Sequence, residues 1–265
     1  MIKHDIDYKI IGDDLQIVEI ELDPNETVIA EAGAMNYMDD GILFESKMGD
    51  GSTPDESFLS SVFSSAKRVL AGETAFITYF TNHIQDNVKR HIAFSAPYPG
   101  KIISIDLNEV EDNTIYCQKD SFLCAAFGTK IDIFFSKKMG RGLFGGEGFI
   151  LEKLSGKGKV FLHAGGTVIK KQLKGEKILI DTGCIVAFSS NITYDIQKAG
   201  NLKTVLTGGE GIYLATLQGY GDVYIQSLPF SRLADRIIAN SSAEGDEETG
   251  ENSLIGGISD FFGKN

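Results

Sequence analysis

Gly146-Glu147-Gly148-Phe149-Ile150-Leu151, running on through Leu154-Ser155-Gly156-Lys157-Gly158-Lys159-Val160-Phe161-Leu162, is matched without a gap further along the chain. The match is Gly209-Glu210-Gly211-Ile212-Tyr213-Leu214, then Leu217-Gln218-Gly219-Tyr220-Gly221-Asp222-Val223-Tyr224-Ile225, a constant 63 residues on from Glu147 to Glu210. Gly-Glu-Gly supplies a turn that accepts positive φ, and the apolar residues after it read as a strand. Gly-x-Gly reads as the next turn, leading into a strand that pairs with the first. Val160 and Leu162 share one strand face with Phe161 on the other, and Val223, Ile225 and Tyr224 repeat that arrangement. Apolar residues on both faces predict a sheet covered on both sides.

A more degenerate copy precedes these two. Ala71-Gly72-Glu73-Thr74-Ala75-Phe76-Ile77 and Phe80 match its first half. Gly100-Lys101-Ile102-Ile103 matches the second half, after extra residues from His83 to Pro99. Self-similarity at fixed spacing predicts a single repeat-built, all-β domain over residues 1–240, with units near 15–110, 111–175 and 176–230. Thirty glycines against five prolines suit many tight turns between short strands.

Two stretches read differently. Phe58, Leu59, Val62, Phe63, Ala66, Val69 and Leu70 follow helical spacing and predict an amphipathic helix over 58–70, inserted in the first unit. Pro229 to Ala239 reads as a short helix with Leu233, Ile237 and Ile238 toward the core. Residues 241–265 read as an acidic linker followed by the short apolar tail Leu254, Ile255, Ile258, Phe261 and Phe262. Only Lys67 and Arg68 are basic on the 58–70 helix, which favours packing over attachment to anionic lipid.

The net charge of −12 and the scattering of basic residues disfavour nucleic acid as a partner. Three cysteines, Cys117, Cys124 and Cys184, with no secretory leader, predict buried free thiols and a cytoplasmic location. His4, His83, His91 and His163 are dispersed, so no metal centre is expected. Gly140-Arg141-Gly142-Leu143-Phe144-Gly145 fits a dinucleotide fingerprint in form only, because a strand and not a helix follows it, so no cofactor is expected. Ser189 and Ser190 lack a nucleophile elbow that would pair them with His163, and no catalytic residue is expected. Glu73, Glu147 and Glu210 recur in all three units. A carboxylate between glycines accepts backbone N–H bonds and pins its turn; the competing expectation is that the three converge on a cation.

The glycine–glutamate turns, with the closing Gln226-Ser227-Leu228-Pro229-Phe230-Ser231-Arg232-Leu233-Ala234, resemble the family related to the yeast altered-inheritance-of-mitochondria (mitochondrial biogenesis) protein, from Met1 to about Ala239. The resemblance implies a double-stranded β-helix like that of the tryptophan RNA-binding attenuator protein, assembled as a homotrimer. It implies no chemistry. The function expected is therefore a non-enzymatic oligomeric scaffold or protein-interaction protein. Alternatives are a small-ligand module between sheets or subunits, and a membrane-surface scaffold using the 58–70 helix and the tail.

Overall fold

The computed structural model describes residues 6–48, 76–84, 87–137, 149–198 and 213–243. The 58–70 helix, Glu73, Glu147, Glu210, the Gly140–Gly145 loop and the 254–262 tail all lie outside the described residues. The first third holds β1 (Asp7–Ile11), β2 (Ile17–Leu22), β3 (Thr27–Glu31), β4 (Met35–Met38), β5 (Ile42–Met48), β6 (Phe76–Asn82) and β7 (Arg90–Ser95). β8 (Gly100–Asp106), β9 (Thr114–Gln118), β10 (Phe122–Ala126), β11 (Lys130–Lys137), β12 (Phe149–Ser155) and β13 (Lys159–Gly165) follow. The last third holds β14 (Val168–Asp181), β15 (Ile185–Ser189), β16 (Ile192–Lys198) and β17 (Tyr213–Gln226), before the single described α-helix, α1 (Phe230–Ala243).

The strands form three antiparallel sheets, in the orders β1-β2-β7-β4, β5-β6-β3-β10-β13-β8 and β11-β12-β9-β15-β17-β14, with β16 also on β17. The same pairings recur. β2 and β4 flank β7, β8 and β10 flank β13, and β14 and β15 flank the second half of β17. Likewise β3 and β5 flank β6, β9 and β11 flank β12, and β14 and β16 flank the first half of β17. Even the irregularity recurs: the ladder slips one residue between Met35 and Tyr37, between Phe122 and Cys124, and between Ile185 and Ala187. A bulge held at one place in a ladder fixes its register and re-aims the strand.

Alternation along these strands fills separate cores. Val28, Ala30, Cys124, Ala126 and Phe161 of the middle sheet meet Val18, Ile20, Ile92 and Phe94 of the first. The intervening residues Ile29, Ala125, Val160 and Leu162 meet Ile115, Cys117, Leu154 and Ala187 of the third sheet. A third cluster joins Phe149, Leu151, Ile185, Phe188, Ala215, Leu217 and Val223. The middle sheet is thus covered on both faces, as the pattern Val160-Phe161-Leu162 predicts, and all-β is the fold class.

Two local readings are corrected. The strands on either side of Gly156-Lys157-Gly158 do not pair: β12 belongs to the third sheet and β13 to the middle one. In the last third, Gly219 (φ 143°) and Gly221 (φ 144°) do not turn the chain at all but lie within the 14-residue strand β17. The second correction concerns Gly100 to Ile103, which begins β8 and pairs with β13 instead of standing in its place. The strand flanked as β13 is flanked is β7, inside the stretch read as extra residues.

The chain divides into two compact units, Met1–Ser231 and Arg232–Asn265. α1 is observed where a helix is expected. No helix among the described residues is long and apolar enough to cross a membrane.

Candidate interaction surface

Among the described residues, those singled out for chemistry sit at separate places in the fold. Cys117, Cys124 and Cys184 are buried free thiols, and burial pushes the Cys124 thiol well above its usual range. His83 is exposed, His91 sits on β7 between Asp39 (3.2 Å) and Glu21 (3.4 Å), and His163 is buried on β13. Among the described residues no three His, Cys, Asp or Glu side chains gather as metal ligands would. The Ser189 hydroxyl is occupied by the Asp222 backbone, accepting from its N–H at 2.9 Å and donating to its carbonyl at 3.3 Å. His163 instead meets the edge of Tyr98, ring centroids 4.5 Å apart.

The closing sequence motif acts as a clasp. Gln226 is buried; its Oε1 accepts from Gly165 N–H at 2.7 Å, and its Nε2 donates to Gly183 carbonyl at 2.8 Å. Ser227 Oγ accepts from Thr167 N–H at 2.8 Å, and Leu228 N–H donates to Gly165 carbonyl at 3.1 Å. Gly165 is required by close approach, since a Cβ there would lie 1.9 Å from the Leu228 carbonyl oxygen. Gln226→Met keeps the bulk and leaves a buried N–H and C=O unpaired, so it is expected to cost about 2 kcal/mol in denaturant unfolding. An unchanged unfolding midpoint and slope would mean that the clasp adds nothing to stability.

What the fold does present is two strand edges that break its own pattern. β10 covers β3, and β15 covers β9. Among the described residues no strand covers residues 177–181 of β14, the segment flanked as β3 and β9 are, and β4 ends the first sheet with one side open. Apolar side chains are left in solvent at both places. Met35 and Tyr37 are each 40% exposed and Leu179 is 56% exposed.

The two edges differ in charge. Around β4, Lys89 binds Glu21 at 2.6 Å and Asp23 at 3.3 Å, and Tyr37 donates to Glu19. The Lys89 hydrogen bond holds the Glu21 carboxyl below its usual range, while the bond to Glu19 raises the Tyr37 phenol. Asp39 and Asp40 close the strand. β14 instead carries exposed Lys170, Lys171, Lys174 and Lys177. Of these, Lys170 pairs with Asp222 at 2.8 Å, which raises its pKa, and it lies 5.4 Å from the Tyr224 ring centre.

Known proteins share this fold. A crystal structure of a Streptococcus pyogenes protein superposes with a TM-score of 0.68 at 21% identity, covering 89% of this chain and 99% of that one. An uncharacterised protein of Streptococcus pyogenes serotype M6 is 27% identical over 219 residues, 82% of this chain and 84% of that protein. The description mitochondrial biogenesis AIM24 fits residues 8–228, nearly the whole β unit, and the chain belongs to that family.

Proposed function

We propose that this protein is a non-enzymatic scaffold, built from three tandem units, that self-associates and offers sheet surfaces to a protein partner. The observation that carries this reading is the set of apolar side chains left in solvent on strands: Met35, Tyr37, Leu43, Phe44, Leu179 and Tyr220. An uncovered strand row with apolar side chains is a template for another chain, and stable proteins keep such rows paired or blunted. Lys174 and Lys177 blunt one of them only in part. Three copies is the assembly that the family resemblance implies, and the cytoplasm is the location that the three buried thiols favour. Multi-angle light scattering at micromolar concentration tests the reading: a mass that is a multiple of 28.8 kDa is expected, and a monomer overturns it.

A further inference from the structure

We propose that residues 168–172 of β14 are a docking edge for an acidic strand of a partner protein, which adds antiparallel as β1 adds to β2. The partner strand carries carboxylates opposite Lys171 and Lys170 and an apolar side chain opposite Ile169. The proposal rests on the scaffold reading and names one of the surfaces that the scaffold offers to a partner.

The first sheet supplies the precedent. β2, β8 and the first half of β14 hold one place in the three units, because Val18, Ile103 and Ile169 face Phe94, Leu162 and Ile225. Those three partners are in turn the residues that Met35, Phe122 and Ile185 face just before the ladder slips. The outer side of β2 is covered by β1, with Tyr8 opposite Ile20, Lys9 opposite Glu19 and Ile10 opposite Val18. Lys9 against Glu19 sets opposite charges across the ladder, and Ile10 against Val18 sets apolar against apolar. The head of β8 is engaged too: Gln16 donates its N–H to the Gly100 carbonyl at 3.3 Å, and its Oε1 accepts from Ile102 N–H at 2.7 Å. Among the described residues no strand lies beside residues 168–172 on the side away from β17.

The residues at these places state what fits. Val18 is fully buried, whereas its counterpart Ile169 is 48% exposed. Ile20 and Ile105 are buried, and the third unit has exposed Lys171 in their place. Where β2 has Glu19, β14 has Lys170. The charge of the edge is thus reversed, and carboxylates take the places that Tyr8 and Lys9 hold on β1. Lys170 shares its charge with Asp222 at 2.8 Å, and Lys171 has no acidic partner among the described residues. Lysines on an edge refuse a second copy of the same strand, whose lysines would face them, and select a strand of opposite charge. Strand addition draws affinity from main-chain hydrogen bonds and specificity from alternate side chains. The net charge of −12 repels acidic chains in general, so capture depends on this local reversal and on a matching ladder.

The test uses the full chain and a capped, fluorescein-labelled peptide, Val-Thr-Glu-Glu-Val-Thr, whose two glutamates fall opposite Lys171 and Lys170 in the antiparallel register. Saturable binding by fluorescence anisotropy is expected, with slower hydrogen exchange at residues 168–172 in the complex. A Gln-Gln version is expected to bind about 5-fold more weakly or worse, as loss of two cross-strand charge pairs predicts. Two adjacent backbone N-methyl groups, one of which faces β14 in any register, are expected to abolish binding. Lys171→Glu, at an exposed position, is expected to keep the parent circular-dichroism spectrum, to lose affinity for the Glu-Glu peptide, and to regain it for a Lys-Glu version. No saturable binding, equal binding of the Gln-Gln or N-methylated peptide, or unchanged affinity in Lys171→Glu overturns the proposal. So does protection that maps away from residues 168–172. Peptide binding is read independently of mass, so an oligomeric parent that fails to bind loses this docking edge and keeps the scaffold reading.

Discussion

Phe161→Ala is expected to lower the unfolding free energy by about 3–5 kcal/mol, the range for removing a buried ring whose cavity closes only in part. Phe161 is fully buried in the core between the first and middle sheets, and Tyr8 meets its ring edge-on with centroids 4.8 Å apart. The ring therefore joins two sheets that share no strand-to-strand ladder and are held by side-chain packing together with hydrogen bonds such as those from Asn82 Nδ2 to the Leu22 carbonyl and from Arg90 to Asn82 Oδ1, each 2.9 Å. Native domains are stable by only about 5–15 kcal/mol, so the change is a large share of the total. Urea unfolding followed by circular dichroism measures it. A loss below about 1 kcal/mol would show that the core collapses to fill the space, and Phe161→Leu, which keeps most of the volume, should recover most of the difference.

Acidification from pH 6.5 toward pH 4 is expected to cost the protein up to about 3 kcal/mol through His163 alone. The imidazole is 2% exposed, packed against Tyr98 and the Gly100 backbone, and its Nδ1 has no hydrogen-bond partner. Burial is the larger influence and pushes its pKa down to about 4, while a hydrogen bond with the Tyr98 backbone works in the opposite direction. The unfolded chain binds a proton near pH 6.5 and the folded chain resists it until about pH 4. Stability is thus full above pH 6.5, falls through the window between the two values, and is level below it with respect to this group. Carboxylates also titrate on the way down, so the quantity to read is the difference between the parent and His163→Gln at each pH. Parallel stability curves for the two proteins between pH 7 and pH 4 would show that His163 does not couple folding to protons.

The two-faced burial of the middle sheet is written in Val160-Phe161-Leu162, because strand alternation is a local property and each side chain meets a core directly. The partners of those strands are not local. Gly100-Lys101-Ile102-Ile103 imitates Gly158-Lys159-Val160-Phe161 because β8 and β13 are neighbours facing the same cores, and neighbours need similar residues. Likewise the glycines of Gly156-x-Gly158 and Gly219-x-Gly221 encode positive φ in both places, yet one pair turns the chain to a different sheet and the other lies within an unbroken strand. Gln226 stands out as part of a motif, but its role depends on Gly165 and Gly183, 61 and 43 residues away. The edges at β4 and 177–181, open among the described residues, are invisible in the sequence for the same reason: an edge is defined by which distant strands pair beside it.

The junction between β3 and β10 also sets a timetable for biosynthesis. Ala30 waits for Cys124, 94 residues later, and Cys117 waits for Ala187, 70 residues later. At about 5–20 residues per second of translation, the β3 edge stays uncovered for roughly 5–20 s on each nascent chain. During that interval the first third offers β3 with a vacant side, and any neighbouring nascent copy carries the same vacancy. Closing it needs the next third of the same chain, so the molecule is completed from its N-terminal end onward, and a ribosome that stalls before Phe122 leaves a product whose first exposed ladder is the one most apt to capture another chain.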